Sequence, residues 1–110
     1  MKRKVFEYGV SEDKSGCMVY SFNGELVVAN AEEIKEVLYK AASKYERITI
    51  FLNKPTIIDL SLIQLLISFN EYVKKINKEV IFECDLDDEM VNLMKIGGAW
   101  YLFEKNKNKK

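Results

Sequence analysis

The chain of 110 residues makes one domain, long enough to bury about two-thirds of the surface its unfolded form exposes. At 48% hydrophobic and 31% charged it is too apolar to be disordered, and 17 basic against 17 acidic side chains leave a net charge of +0, which argues against nucleic acid as the main partner. Histidine is absent, which removes the commonest general base, the commonest metal ligand and every His-dependent triad.

The first four residues lead straight into Val5–Tyr8 with no continuous apolar stretch and no small-residue cleavage site, so a secretory signal peptide is not expected. Val5–Val10 reads as a strand, followed by a turn rich in Ser, Glu, Asp, Lys and Gly. Cys17–Phe22 has strand composition, Asn23-Gly24 is a hairpin-turn dipeptide, and Glu25–Val28 continues extended. A helix opens at Asn30 or Ala31, with Ile34, Val37, Leu38 and Ala41 at helical spacing. Glu32 and Glu33 suit its first turn, and Lys40 and Lys44 suit its end. The β-branched run Ile48–Leu52 predicts a central strand covered on both faces.

Asn53–Thr56 is a loop, because Pro55 disfavours helix at Lys54 and interrupts any ladder. The next helix is predicted from about Leu62 to Ile76, with Leu62, Leu65, Leu66, Phe69, Val73 and Ile76 as its core stripe. Ile63 and Ile67 fall outside that stripe; they pack under a wide sheet or form an exposed patch. Glu79–Cys84 is a strong strand, and Asp85–Glu89 supplies the cap and acidic first turn of a helix stopped by Gly97-Gly98. Trp100–Phe103 closes the fold as a short strand or helical turn and an aromatic core lid. Residues 105–110 read as a basic, disordered tail after a domain of residues 1–104. The alternation of elements predicts an α/β fold: a mixed sheet of four or five strands with helices packed on one face.

Ser61 and Gln64 have the spacing of a capping box at the mouth of the second long helix. A serine there sits among unpaired N–H groups at the positive end of a helix dipole, a place suited to an anion, including a phosphoryl group on the serine itself. The corner is read in two ways: as a phosphoacceptor or contact residue beside Asp59, or as a plain helix cap. A nucleophilic Ser61 would need a base, and Lys54 is the one non-carboxylate base nearby in sequence. Asp85, Asp87, Asp88 and Glu89 lack the order of a calcium loop and read as dipole compensation. No phosphate-cradling glycine loop occurs, and no cofactor or metal is expected. Cys17 and Cys84 read as small hydrophobes of a reducing cytoplasm. The apolar span 57–69 is too short and too interrupted to cross a bilayer.

The corner Ile58-Asp59-Leu60-Ser61-Leu62 and the order of elements resemble a STAS domain, the anti-sigma-factor-antagonist fold. Phe22–Leu26 is similar to the family's early Gly-x-Leu, Ile48–Leu52 to its central strand, and Met94–Gly97 to its closing helix and glycine. In phosphoregulated members the corner reads Asp-Ser-Ser-Gly or Asp-Ser-Thr-Gly. The resemblance puts Asp59 at the Asp position and Ser61 at the phosphoacceptor, with Leu60 replacing the first serine and Leu62 the glycine. At the preceding strand end, Leu52-Asn53-Lys54 stands where the family often has Asp-Leu-Ser. The resemblance implies a non-catalytic, cytoplasmic regulatory module. It would bind a partner protein through Asn53, Asp59, Leu60, Ser61, Leu62 and Ile63, switched by phosphorylation of Ser61. The implied partners are a serine kinase or anti-sigma-like protein, a chemotaxis protein, or a second copy of the chain. The alternative it implies is an unmodified docking subunit beside the ATPase of a membrane phospholipid-transport assembly.

Overall fold

The structure, a computed structural model, describes the backbone of residues 5–107 and the side chains of residues 5–104. Strands β1 (Phe6–Glu12) and β2 (Met18–Leu26) form an antiparallel hairpin. Its turn is built by Asp13: the Asp13 carbonyl accepts the Gly16 N–H at 3.0 Å, and the Asp13 N–H donates to Cys17 O at 2.9 Å. Gly16 has φ +88, the left-handed bulge residue that closes a three-residue hairpin loop. The Asp13 carboxylate accepts from the Ser15 hydroxyl and from the amides of Ser15 and Cys17. These bonds, the Ser15 hydroxyl foremost, hold its pKa below the ordinary carboxylate value.

The hairpin turn expected at Asn23-Gly24 is not there. Both residues lie inside β2, opposite Glu7 and Phe6. Gly24 has φ +88, and a Cβ on it would stand 2.4 Å from Val5 O and 2.8 Å from Phe6 Cα. The glycine serves close backbone approach and a kink, not a chain reversal. Past the kink β2 changes partner. Met18–Phe22 pair in parallel with β3 (Arg47–Asn53), whereas Glu25 and Leu26 pair with the two-residue strand β4 (Ile57–Ile58), which the sequence reading missed.

Strand β5 (Glu79–Asp85) adds in parallel to β3, giving the order β1-β2-β3-β5 with β4 on β2. The register aligns Tyr20, Ile50 and Phe82 in one row and Phe22, Leu52 and Cys84 in the next. On this face lie α1 (Ala31–Lys44, after a 3₁₀ turn Val28–Asn30), α2 (Leu60–Lys75), α3 (Asp88–Ile96) and α4 (Trp100–Lys107). Ile34, Leu38, Leu66, Phe69 and Met94 are buried against the strands in one core. The ending is helical, and it forms the expected lid: Phe103 packs on Phe82 at 5.6 Å between ring centres and on Trp100 at 5.7 Å. The first residues of the segment read as a tail end α4; residues 108–110 lie outside the described residues, as do residues 1–4.

The expectation that β3 is covered on both faces needs correction. On the side away from the helices Thr49 is shielded by the free thiol of Cys17, 3.7 Å from its hydroxyl, but Phe51 is only half-buried and Glu83 beside it is exposed. Ile63 is fully buried and Ile67 packs half-buried against the core, so their position off the predicted stripe reflects a wide contact surface.

Candidate functional site

The chain leaves β3 through Lys54, whose φ of +48 is the left-handed turn that Pro55 then holds open. It touches β2 through the Thr56 N–H to Gly24 O at 2.9 Å, forms β4, and enters α2 at Asp59. The helix begins two residues earlier than predicted, and its cap is Asp59, not Ser61. Asp59 Oδ1 accepts the Leu62 N–H at 3.2 Å. An aspartate placed three residues before a free amide outcompetes a serine two residues later, because a charged acceptor makes the stronger bond. The Ser61–Gln64 capping box is therefore not formed; Gln64 is exposed, just past the first turn.

Asp59 also reaches outside its helix. Its Oδ2 accepts the Val28 N–H at 2.9 Å, so one half-buried carboxylate joins the start of α2 to the turn that follows β2. Asn30 reinforces that turn from below, donating its side-chain amide to Glu25 O at 2.8 Å. The corner is thereby fixed from two sides.

Near this fixed point three aliphatic side chains are exposed. Leu60 is 52% exposed, Ile57 49% and Val28 65%. Of these only Leu60 was singled out from sequence. The signal for Ile57 was present: in a strand one of two adjacent isoleucines must face out, and Ile58 is the buried one. Val28 could not be placed without knowing that β2 ends at Leu26 and turns.

Ser61 lies at the second helical position, half-buried, and its hydroxyl has no hydrogen-bond partner among the described residues. The amides of Leu60 and Ser61 likewise have no acceptor there, so the mouth of the helix is open to one. Leu62 and Ile63 are 2% and 0% exposed, and they point into the core rather than toward a partner. That corrects their expected role: they seat α2. Ile63 is met by Gly97, where a Cβ would fall 2.9 Å from its Cγ2, so the glycine at the end of α3 lets the two helices close together. Asn53 is half-buried at the end of β3, level with Asp85.

Lys54 donates its N–H to Asp85 O at 3.0 Å and holds its ammonium 3.9 Å from the Asp85 carboxylate. Its ammonium makes no hydrogen bond to Ser61. Among the described residues no group of three or more Cys, Asp or Glu is placed to hold a metal ion, and no helix is long and apolar enough to cross a membrane.

No curated protein matches the chain. Among solved structures it is similar to an anti-sigma factor antagonist from Mycobacterium paratuberculosis, with TM-score 0.62 and 18% identity over 83% of this chain and 79% of that one. It is also similar to the STAS domain of an antisigma-factor antagonist from Rhodobacter sphaeroides, with TM-score 0.53 and 19% identity over 73% of this chain and 85% of that one. At such identities the likeness is one of fold. The sequence itself decides the family: the STAS-domain family model matches residues 9–100, a span from mid-β1 to the first residue of α4 that includes the Asp59 corner, and the chain belongs to the STAS domain family.

Proposed function

We propose that the chain is a non-catalytic regulatory module that binds a partner protein through the start of α2. Leu60, Ile57 and Val28 supply the apolar contact, and Ser61 is the group whose phosphorylation releases the partner. The observation that carries this reading is the apolar surface formed by three exposed aliphatic side chains around a helix mouth that Asp59 braces twice. Exposed apolar clusters rimmed by polar groups are the usual mark of an interaction site. A phosphoryl group on Ser61 would add about −1.5 to −2 charge at neutral pH. The open amides of Leu60 and Ser61 would attract it, Asp59 would repel it, and burying it beside Leu60 in an interface would be costly. Modification and binding are then mutually exclusive. The fitting partners are a serine kinase or anti-sigma-like protein, in the cytoplasm.

The second reading is an unmodified docking subunit, set beside the ATPase of a membrane transport assembly. The exposed Leu60, standing where phosphoregulated members carry a serine, favours it. The two separate by mass. Incubation with ATP and serine kinases encoded near this gene is expected to add one phosphoryl mass to the chain and none to Ser61→Ala. No addition with any such kinase contradicts the switch and leaves docking. Co-purification of a partner is expected to be lost in Leu60→Glu; unchanged co-purification contradicts both readings.

A further inference from the structure

A second apolar surface lies at the opposite edge of the α1 layer. Between β1 and α1 runs a groove of about 590 Å³ whose floor includes Tyr8, Val10 and Tyr20. Tyr8 and Val10 are each 47% exposed, on the same face of the sheet's edge strand, with Tyr8 stacked on Tyr20 and Phe22. β1 contains neither Lys nor Pro, the residues that usually protect an edge from further pairing.

The direction of its free hydrogen-bonding groups follows from the hairpin. Val5 O accepts the Glu25 N–H and the Asp13 N–H donates to Cys17 O, so odd-numbered residues turn their amides toward β2. Tyr8 and Val10 therefore turn theirs outward, and these find no partner among the described residues. The rim of the groove carries a sorted charge pattern: Glu33 and Glu36 come first along α1, then Lys40 and Lys44. Because β1 is antiparallel to β2 and α1 returns between parallel β2 and β3, α1 runs in the same sense as β1.

We propose that β1 pairs antiparallel with β1 of a second copy of this chain, with Gly9 on the two-fold axis. In that register Tyr8 and the second copy's Val10 exchange both backbone hydrogen bonds, an aromatic–β-branched cross-strand pair. Gly9 meets its own copy at the close, non-hydrogen-bonded position without a side chain in the way. The two α1 helices then face each other antiparallel across the joined floor. The acidic half of each stands opposite the basic half of the other, a self-complementary arrangement of the kind a two-fold interface requires. This surface is separate from the α2 corner and does not depend on the function proposed for it.

Sedimentation equilibrium of the full chain is expected to show a monomer–dimer equilibrium with a micromolar constant. Val10→Pro removes an outward N–H without touching the β1–β2 ladder, and it is expected to weaken the dimer about 100-fold through two lost bonds. A charge test covers the case where that variant folds poorly. Lys40→Glu/Lys44→Glu and Glu33→Lys/Glu36→Lys are each expected to be monomeric alone and to form a heterodimer when mixed. A single monomeric species at millimolar concentration overturns the proposal, as does a dimer indifferent to Val10→Pro or a mixture of the two charge variants that stays monomeric.

Discussion

Asp59 shows how much one carboxylate can organise. It satisfies an amide of its own helix and an amide 31 residues away, extending past the last ladder pair the contact that β4 makes with the end of β2. Asp59→Ala loses a cap worth about 0.5–2 kcal/mol and a charge-assisted bond to Val28. Urea unfolding is expected to show a loss of about 2–3 kcal/mol. Gly24 acts by what it lacks: with φ +88 and Val5 O at 2.4 Å from any Cβ, Gly24→Ala is expected to cost about 3 kcal/mol, read from the same unfolding curve. The residue type at both positions was plain in the sequence, but the role was not. Asn-Gly is ambiguous between a reversal and a kinked strand until the partner strand is known. An Asp followed two positions later by Ser offers two caps, and the charge of the first decides.

At the scale of elements, the first turn of α2 divides sharply between surface and core. Leu60 faces out at 52% exposure, while Leu62 is 2% exposed in the same core as Leu26 and Leu52. Leu60→Glu is therefore expected to change stability by no more than about 0.5 kcal/mol, whereas Leu62→Glu buries an unpaired charge and should cost about 4 kcal/mol or more in thermal or urea unfolding. The β1–β2 hairpin turn has its own pH dependence. The Asp13 carboxylate is held below its ordinary value, chiefly by the Ser15 hydroxyl, so its stabilising contribution is complete above the unfolded pKa and is lost as pH falls through the folded one. Amide exchange at Ser15 and Cys17 is expected to speed up, relative to the rest of the sheet, below the ordinary carboxylate range, and Asp13→Asn should abolish that difference. The long elements were legible because their periodicity is strong: α1, β3, β5 and α3 fall within a residue or two of expectation. The short ones were not. β4 has two residues, too few for any alternation to register, and it exists because the kink at Gly24 directs the end of β2 toward it.

For the whole molecule, the α/β architecture, the single core and the family were readable from pattern and from the Asp59 corner together, whereas β4 and the course of the chain through Gly24 were not. Leu62 lies on the core stripe expected from spacing, but the burial of Ile63 and the exposure of Leu60 were not legible, because they depend on how closely α3 covers the first turn of α2 at Gly97. The expected contact set Asn53 and Asp59–Ile63 becomes, on the folded molecule, an outer group of Leu60 and Ser61 joined by Ile57 and Val28. Asp59 holds the group in place, and Leu62 and Ile63 lie beneath it. Hydrogen exchange by mass spectrometry, with and without a saturating partner protein encoded beside this gene, tests that assignment most directly. The account predicts slowed exchange at Leu60, Ser61 and Val28 in the complex. Protection confined to other surfaces, with these three amides unchanged, contradicts it.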